Sequence, residues 1–451
     1  MAEVKRRQFL KSSTWAGASL IGTAKAWAGA NNRIRVALIG AGGRGRRLVE
    51  EILENEGVDL AVVCDVDERR ALEKAEQAQK ISGRRPRIEK DLRRIMDDTS
   101  IDAVTIATCN HWHALAGIWA CQAGKHVYVE KPIAHNVWEG RKLVEAARKY
   151  DRIVQGGTNR RSSGSFRRVA QLVRDGLIGR VYWARCEFPR PRDPLGFKPA
   201  EPPPSWLDWN LWLGPAPDQA FHRNLVHYNW HWFWDFGNGE MGNNGIHIID
   251  VCRWIMGQEV PVRAHSGGGR FGAEDQAETP NTHRATFEFQ DGSLLTCDLR
   301  NLYSDHGRVV PRRAIYPEPR LQWMAEFTWD LYGTDGYIHM KHRIQKRGAG
   351  CDYQVFLGRN KKAEPNPPDL EGWGHYQNFV NALRAGDGNV LTADIEVTHR
   401  SGIFCELANI SHRVGREVRF DPVTETIPGD EEASRLLRRE YRKPFEVPEK
   451  V

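Results

Sequence analysis

Two stretches of this 451-residue chain carry residue types and spacings that could do chemistry together. The first is Gly40-Ala41-Gly42-Gly43-Arg44-Gly45, a G-x-G-x-x-G turn between the apolar run Ile34 to Ile39 and a helical pattern from Arg46 to Glu56. In that setting Gly40 permits a tight turn, Gly42 lets the backbone approach a pyrophosphate, and Gly45 lets the helix lie close on the strand. The helix N-terminus supplies oriented N–H groups to the anionic phosphates. A second apolar run, Asp59 to Cys64, ends in Asp65, whose carboxylate can accept hydrogen bonds from an adenosine ribose diol. It would repel a 2′-phosphate, so the pattern points to NAD, while Arg69 and Arg70 nearby leave NADP open. The second stretch, Gly239 to Asp250, holds His247, whose imidazole with a pKa of about 6.5 suits proton transfer near neutrality. Asn243 stands four residues earlier, which on a regular α-helix is the same face. Its amide can orient a hydroxyl but cannot titrate, and Asp235 or Glu240 could supply a charge from the preceding loop.

Positioning these groups requires alternating strands and helices. Helical patterns run from Glu68 to Gln79, Asp91 to Asp98, His111 to Ala123 and Asn136 to Tyr150. Strand patterns lie at Asp102 to Ala107, Lys125 to Val129 and Arg152 to Gln155. Strict alternation predicts an α/β fold with a doubly wound parallel sheet, whose ligands lie beyond the carboxyl ends of the strands. Thr108-Cys109-Asn110-His111-Trp112-His113 and Glu130-Lys131-Pro132 fall at that edge. After residue 155 the pattern changes. Thr282 to Phe289 with Ser293 to Leu299, and Phe327 to Leu331 with Tyr337 to Met340, read as hairpins. Helices are predicted at Ser165 to Asp175, Gly245 to Met256, His375 to Ala385 and Ala393 to Val414, around a proline-rich surface loop from Pro189 to Pro217.

The glycine turn, D-A-V-T-I-A-T-C-N-H-W-H-A, G-K-H-V-Y-V-E-K-P and the later G-x-H-x-x-D together resemble the Gfo/Idh/MocA oxidoreductases. The resemblance spans nearly the whole chain after its first thirty residues. It implies an N-terminal Rossmann domain over 32–155 and a C-terminal α+β domain with an open, mostly antiparallel sheet over 156–421, followed by a charged tail over 422–451 that wraps the surface. It implies cofactor contacts from Gly40, Gly42, Gly43, Arg44, Gly45, Asp65, Thr108, Asn110, His113, Glu130 and Lys131. Lys131 would face the reacting hydroxyl, with His247 exchanging the proton and Asn110, Asn159 and Asn243 orienting the substrate. In the family the position of Asn243 reads Asp.

Eight of the sixteen tryptophans fall between Trp183 and Trp254, including Trp230 and Trp232 in N-W-H-W-F-W-D-F-G. Flat aromatic faces stack on sugar rings, so Trp230 and Trp232 are candidate walls of a carbohydrate pocket, although a tryptophan-rich core gives the same pattern. The histidines at 222, 227 and 231 lack carboxylate–His spacing, and no metal is expected.

Composition sets the remaining limits. Hydrophobic residues make up 40% and charged residues 27%, and no apolar run is long enough to cross a bilayer. The start, with Arg6-Arg7 before Phe9-Leu10-Lys11, an uncharged run from Ser12 to Ala24 and small residues at Ala24, Ala26 and Ala28, resembles a twin-arginine export signal over 1–28. Its partner would be the twin-arginine machinery, and the mature chain would work in the periplasm or outside the cytoplasm, without a stable membrane anchor. Those 28 residues hold five basic side chains against one acidic, so the net charge of +7 falls to +3 without them, too little to imply nucleic acid. The eight cysteines show no C-x-x-C spacing and read as buried thiols. An exported enzyme has no pool of free dinucleotide, so the cofactor should be tightly held and restored in place. The expectation is an oxidoreductase acting on a sugar, polyol or glycoside hydroxyl, with an open sheet edge in the second domain suggesting pairing with copies of itself as a dimer or tetramer. The alternatives are an NAD-dependent glycosidase working through transient oxidation, as in family 109, and a non-catalytic sugar-binding protein with structural NAD. The E-K-P run, which those glycosidases lack, favours the dehydrogenase.

Overall fold

A computed structural model of the chain describes residues 33–272, 274–302, 327–344, 349–358, 361–362 and 366–451. The export signal expected over 1–28 lies outside the described residues. Among them, no helix is long and apolar enough to cross a membrane.

The first half folds as the alternation requires. In chain order it runs β1 (Ile34–Ile39), α1 (Gly43–Leu53), β2 (Val58–Cys64), α2 (Glu68–Ser82), β3 (Arg87–Glu89), α3 (Arg93–Met96), β4 (Ala103–Ile106), α4 (Asn110–Gln122), β5 (His126–Val129), α5 (Val137–Lys149) and β6 (Val154–Gly156). The strands form one parallel sheet in the order β3-β2-β1-β4-β5-β6. Because β1 and β4 are buried on both faces, they appear in sequence as apolar runs interrupted only by Arg35 and Thr105. Strand β3, three residues long, is too short to show a period and has no counterpart in the sequence expectation. Register aligns Ile39 with Cys64 and Ile106, Ile106 with Val129, and Val129 with Gly156. The segments after these strands therefore leave from one edge, at the point where strand order reverses.

The second half continues with α6 (Gly164–Arg174), β7 (Val181–Pro189), α7 (Trp209–Leu213), α8 (Ile246–Met256), β8 (Arg263–Gly269), β9 (Thr282–Glu288) and β10 (Leu294–Arg300). Beyond these come β11 (Thr328–Gly333), β12 (Gly336–Ile344), β13 (Ala349–Leu357), β14 (Lys361–Lys362), α9 (His375–Ala385), α10 (Ile395–Val414), β15 (Val418–Arg419) and α11 (Glu431–Arg435). Nine strands form a sheet in the order β14-β13-β12-β11-β7-β10-β9-β8-β15, antiparallel throughout except where β7 and β10 run parallel. Helices α6, α8 and α10 cover one face over a core that includes Phe166, Phe188, Phe287, Trp329 and Phe404. Helix α9 instead packs on the first sheet, where Tyr376, Phe379 and Leu383 meet Val36, Leu48 and Tyr128. The tail is not merely a surface wrap. Phe445, Val447 and Val451 are buried against the apolar side of α4, because that helix presents Trp112 and Trp119 outward from the sheet. Arg439 binds the carbonyls of His111 and Asp235 and the Glu139 carboxylate.

Candidate functional site

The turn after β1 has the geometry its glycines suggest. Gly40 has φ +93°, and a Cβ there would sit 2.5 Å from the Ala107 backbone, so no other residue fits. A Cβ on Gly45 would lie 2.8 Å from the Gly40 carbonyl, which is the close approach of α1 to β1. Gly42 and Gly43 face open space, with only an Arg70 nitrogen 3.9 Å from the Gly42 position. No side chain caps α1. The amides of the turn are thus unobstructed where a pyrophosphate belongs, and the residues present fit a dinucleotide.

Asp65 closes the adenosine end. Its carboxylate accepts from Ala41 N at 2.6 Å and Asp67 N at 2.9 Å. Burial pushes the Asp65 carboxyl up, and these N–H groups work against that rise. A loop from the second half leans over this end. Asp67 bridges to Leu207, His227 lies 3.1 Å from the Asp67 carboxylate, and Arg69 stacks on Trp206 at 3.5 Å.

At the other end Arg44 reaches from the turn to Glu130 at 2.6 Å and to Glu51 at 2.8 Å. Burial pushes the Glu130 carboxyl up, but the Arg44 guanidinium outweighs it and holds Glu130 below the usual carboxylate range. Lys131 is partly buried at the cavity, and burial lowers its ammonium to about 8 against the opposing pull of Glu130 and Glu240. Its Nζ donates to the Asn243 carbonyl at 2.5 Å and lies 3.5 Å from that residue's Oδ1. The His113 ring lies between the carbonyls of Pro132 at 2.6 Å and Thr108 at 3.1 Å. Asn110 donates to Asn238 at 2.7 Å, and Asn238 in turn donates to Glu406 at 2.8 Å.

The segment before α8 departs from the sequence expectation. Met241–Gly245 forms a π-helical turn, not α-helix. Asn243 faces Lys131, whereas His247 does not line the cavity and its Nδ1 is buried without a partner. Burial first, and then Arg160 and Lys131, push the His247 imidazole well below its ordinary value. Glu240 supplies the charge near Asn243. It is buried, pairs with Arg192 at 2.5 Å, and receives the side-chain amides of Asn243 and Asn244. Asp235 instead accepts from Gln219.

A cavity of 350 Å³ runs from the glycine turn to Lys131. On the Rossmann side Gly40, Gly42, Gly43, Arg44 and Asp65 line it, followed by Thr108, Asn110, His113, Glu130 and Lys131. Trp212, His227, Tyr228, Trp230, His231 and Asn243 form the facing wall. Trp230 is therefore at the cavity, while Trp232 lines a separate hollow beside Arg270. Asn159, Gly45 and His247 are outside the lining. Most of the tryptophan cluster is core. Trp209 stacks on Trp212 at 4.7 Å, and both pack with Phe221, Phe233 and Phe236.

Tyr228 has no counterpart in the sequence expectation, and His231 entered it only among histidines weighed as metal ligands. Nδ1 of His231 donates to the Tyr228 carbonyl at 2.5 Å and its ring stacks on Trp230 at 3.6 Å, leaving Nε2 as an acceptor in the neutral ring. The only signal was their place in Y-N-W-H-W. Among the described residues no cluster of His, Cys, Asp and Glu could hold a metal ion, and all eight cysteines are free thiols.

Comparison with known proteins places this geometry in a family. Residues 34–158 match the model of the GFO_IDH_MocA oxidoreductase family, NAD-binding Rossmann fold, and residues 196–308 with 360–447 match its C-terminal alpha/beta domain. The chain is 27% identical to myo-inositol 2-dehydrogenase of Thermotoga maritima over 59% of its own length and 68% of that protein. It is also 27% identical to a glycosyl hydrolase family 109 protein of Stenotrophomonas maltophilia over 86% of this chain and 85% of that one. Across three such relatives the match spans between 38% and 68% of their own length. The fold is shared with the WlbA dehydrogenase from Bordetella pertussis in complex with NADH and UDP-GlcNAcA, at a TM-score of 0.62 and 18% identity over 86% of this chain and 99% of that one. The chain belongs to the Gfo/Idh/MocA oxidoreductase family and carries its NAD-binding Rossmann domain.

Proposed function

We propose that this member of the oxidoreductase family oxidises a secondary hydroxyl of a sugar, polyol or glycoside. The observation that carries the reading is the single cavity joining the glycine turn to Lys131, with Trp230, His231 and Asn243 opposite. NAD, when bound, supplies the hydride acceptor. Gly42, Gly43 and the α1 amides would hold its pyrophosphate, Asp65 its adenosine ribose, and Asn110, His113 and Glu130 the nicotinamide end. Lys131 does the proton chemistry. In its neutral form it takes the hydroxyl proton, and burial has brought that form within reach of physiological pH. Trp230 gives the ring a flat apolar wall, and His231 Nε2 and the Asn243 amide accept and donate to neighbouring hydroxyls. His247, kept neutral behind Lys131, is a positioning group in this scheme and not the proton carrier.

The mature chain works outside the cytoplasm after twin-arginine export, with NAD as a resident cofactor. The roof of Leu207, His227 and Trp206 over the adenosine end supports retention. Copies would pair through the uncovered face of the second sheet, where Trp183 stacks on Tyr332 at 4.7 Å and Tyr337 on Phe356 at 4.5 Å. Light scattering of the mature protein tests the pairing, and cell fractionation of an Arg7→Lys variant tests the export.

The decisive experiment purifies the mature protein without added nucleotide, identifies what leaves on denaturation, and follows nicotinamide absorbance with a panel of sugars. Reduction by at least one sugar is expected. Retained NAD with no spectral change on any sugar would leave the sugar-binding reading. The long match to a family 109 glycosyl hydrolase favours one second reading, bond cleavage through transient oxidation. Phenol release from an aryl glycoside without added NAD would establish it.

A further inference from the structure

Beyond Lys131, toward β11, lies a buried cation that the scheme above does not use. The 3-10 turn Asn159–Ser162 follows β6 and so leaves the first sheet at the same edge as Lys131. Its two arginines behave differently. Arg161 is paired: its Nε reaches both oxygens of Asp250 at 2.9 Å. Arg160 is not. Only 5% of it is exposed, its guanidinium stacks on Phe327 at 4.8 Å and Trp329 at 5.9 Å, and its Nε has no hydrogen-bond partner. Among the described residues no carboxylate stands within ion-pair distance of it.

The neighbourhood is short of negative charge. Glu130 is taken by Arg44, Glu240 by Arg192, and Asp250 by Arg161 and Ser401. Three more buried polar atoms lack partners here: Asn159 Oδ1, His247 Nδ1 and His342 Nδ1. They belong together electrostatically, because the Arg160 charge bears on Lys131, His247 and His342 alike. Burying a charge without a partner costs several kcal/mol, and a guanidinium fork is satisfied best by a planar carboxylate. A single fork lying over the neighbouring Phe327 and Trp329 rings suits a monoanion; phosphate would call for more donors.

Building on the oxidoreductase reading, we infer that Arg160 is the seat of a substrate carboxylate, so that the substrate is a sugar acid of the uronic or aldonic type. Seated there, the acid would present a ring or chain hydroxyl to Lys131. The carboxylate would neutralise the second cation beside the ammonium that has to lose its proton.

The test uses the mature protein with its resident nucleotide. Reduction of bound nicotinamide is measured with a uronic acid, its uronamide, the parent neutral sugar and the sugar phosphate. Binding of the same compounds is read by thermal shift. The acid should bind with a KM at least about 100-fold below that of the isosteric, uncharged amide. In Arg160→Gln that ratio should collapse toward one, and in Arg160→Lys it should be partly restored. Should the variants fail to fold, the comparison of acid with amide on the unaltered protein still decides. Equal handling of acid and amide, or preference for the phosphate, overturns the carboxylate seat while leaving the oxidoreductase intact. No spectral response to any compound, with NAD retained, would instead defeat the functional reading beneath it.

Discussion

Replacing Lys131 by Met should abolish turnover and, at neutral pH, make the protein more stable. Burial lowers the ammonium from 10.5 to about 8. At 1.36 kcal/mol per pH unit this corresponds to about 3 kcal/mol charged against the folded state while the group is protonated. The sign follows from linkage. The folded protein holds this proton less tightly than the unfolded chain, so the penalty is complete below about pH 8. It fades as the pH climbs toward 10.5, the value the group regains on unfolding. Methionine removes the penalty but leaves the Asn243 carbonyl without its 2.5 Å donor, a loss of about 1 kcal/mol. The variant should therefore gain about 2 kcal/mol at pH 7 and lose that advantage by pH 10. Thermal midpoints of both nucleotide-free proteins, measured in parallel from pH 7 to 10, give the gap, and retained NAD in the holo-variant shows that the cofactor half is intact. A Met variant that is less stable at pH 7 with a gap indifferent to pH would refute the burial argument. Surviving turnover would refute the role of the amine.

The same amine sets the pH dependence of catalysis: sugar oxidation should rise about tenfold per pH unit up to about 8 and then level off, while the reverse reduction, which needs the ammonium, holds level to about 8 and declines above it. Initial rates in both directions across pH 6 to 10 check this. Gly40→Ala forces a side chain into a φ of +93° and onto the Ala107 backbone, so nucleotide co-purification should be lost along with about 1 to 3 kcal/mol of stability. Absorbance of the perchloric-acid extract measures the first, and denaturant titration the second. Glu425→Gln unties the tail from α5 and α10, where burial raises the carboxyl but His399 and Arg141 bring it to about 2. A depressed carboxyl stabilises above its unfolded value of 4.5 and loses that contribution as pH falls through about 2. After allowance for solvent screening the cost should be about 1 to 2 kcal/mol at pH 7, shrinking in acid, as unfolding midpoints at pH 7 and pH 3 would show.

How much could be read from sequence depended on how directly each feature is written in local pattern. Strands β1, β4 and β5 are buried on both faces and declare themselves as apolar runs, so the edge that carries Thr108, Asn110, Glu130 and Lys131 followed from counting. Strand β8 did not declare itself, because Arg263–Gly269 ends in three glycines and is held by its neighbours β9 and β15. The tail's hydrophobic anchors Phe445, Val447 and Val451 are spaced among charges and acquire meaning only from the α4 surface they cover. The π-turn at Met241–Gly245 was not legible, because the pattern there reads as the start of a regular α-helix. At this turn Lys131 donates to the Asn243 carbonyl, and Glu240, just before it, accepts from the Asn243 and Asn244 amides.

The resemblance to the family leads one to expect Asp at position 243, and the charge near Asn243 comes from elsewhere. Glu240, buried and balanced by Arg192, supplies a negative charge there, and it bears on Lys131. Restoring the acid with Asn243→Asp should then be harmful. The new carboxylate would lie 3.5 Å from the Lys131 nitrogen and about as far, 3.5 Å, from Glu240. An ion pair near that separation is worth about 4 kcal/mol at an effective dielectric of about 20, before desolvation is subtracted. Even a third of that raises the ammonium by about one pH unit, and repulsion from Glu240 opposes the fold at the same place. The plateau of the oxidation profile should move from about 8 toward 9, with turnover at pH 7 falling about tenfold and the thermal midpoint dropping. A profile that keeps its midpoint would mean that some group other than Lys131 takes the proton; His231, stacked on Trp230 across the cavity, would then be the next to replace.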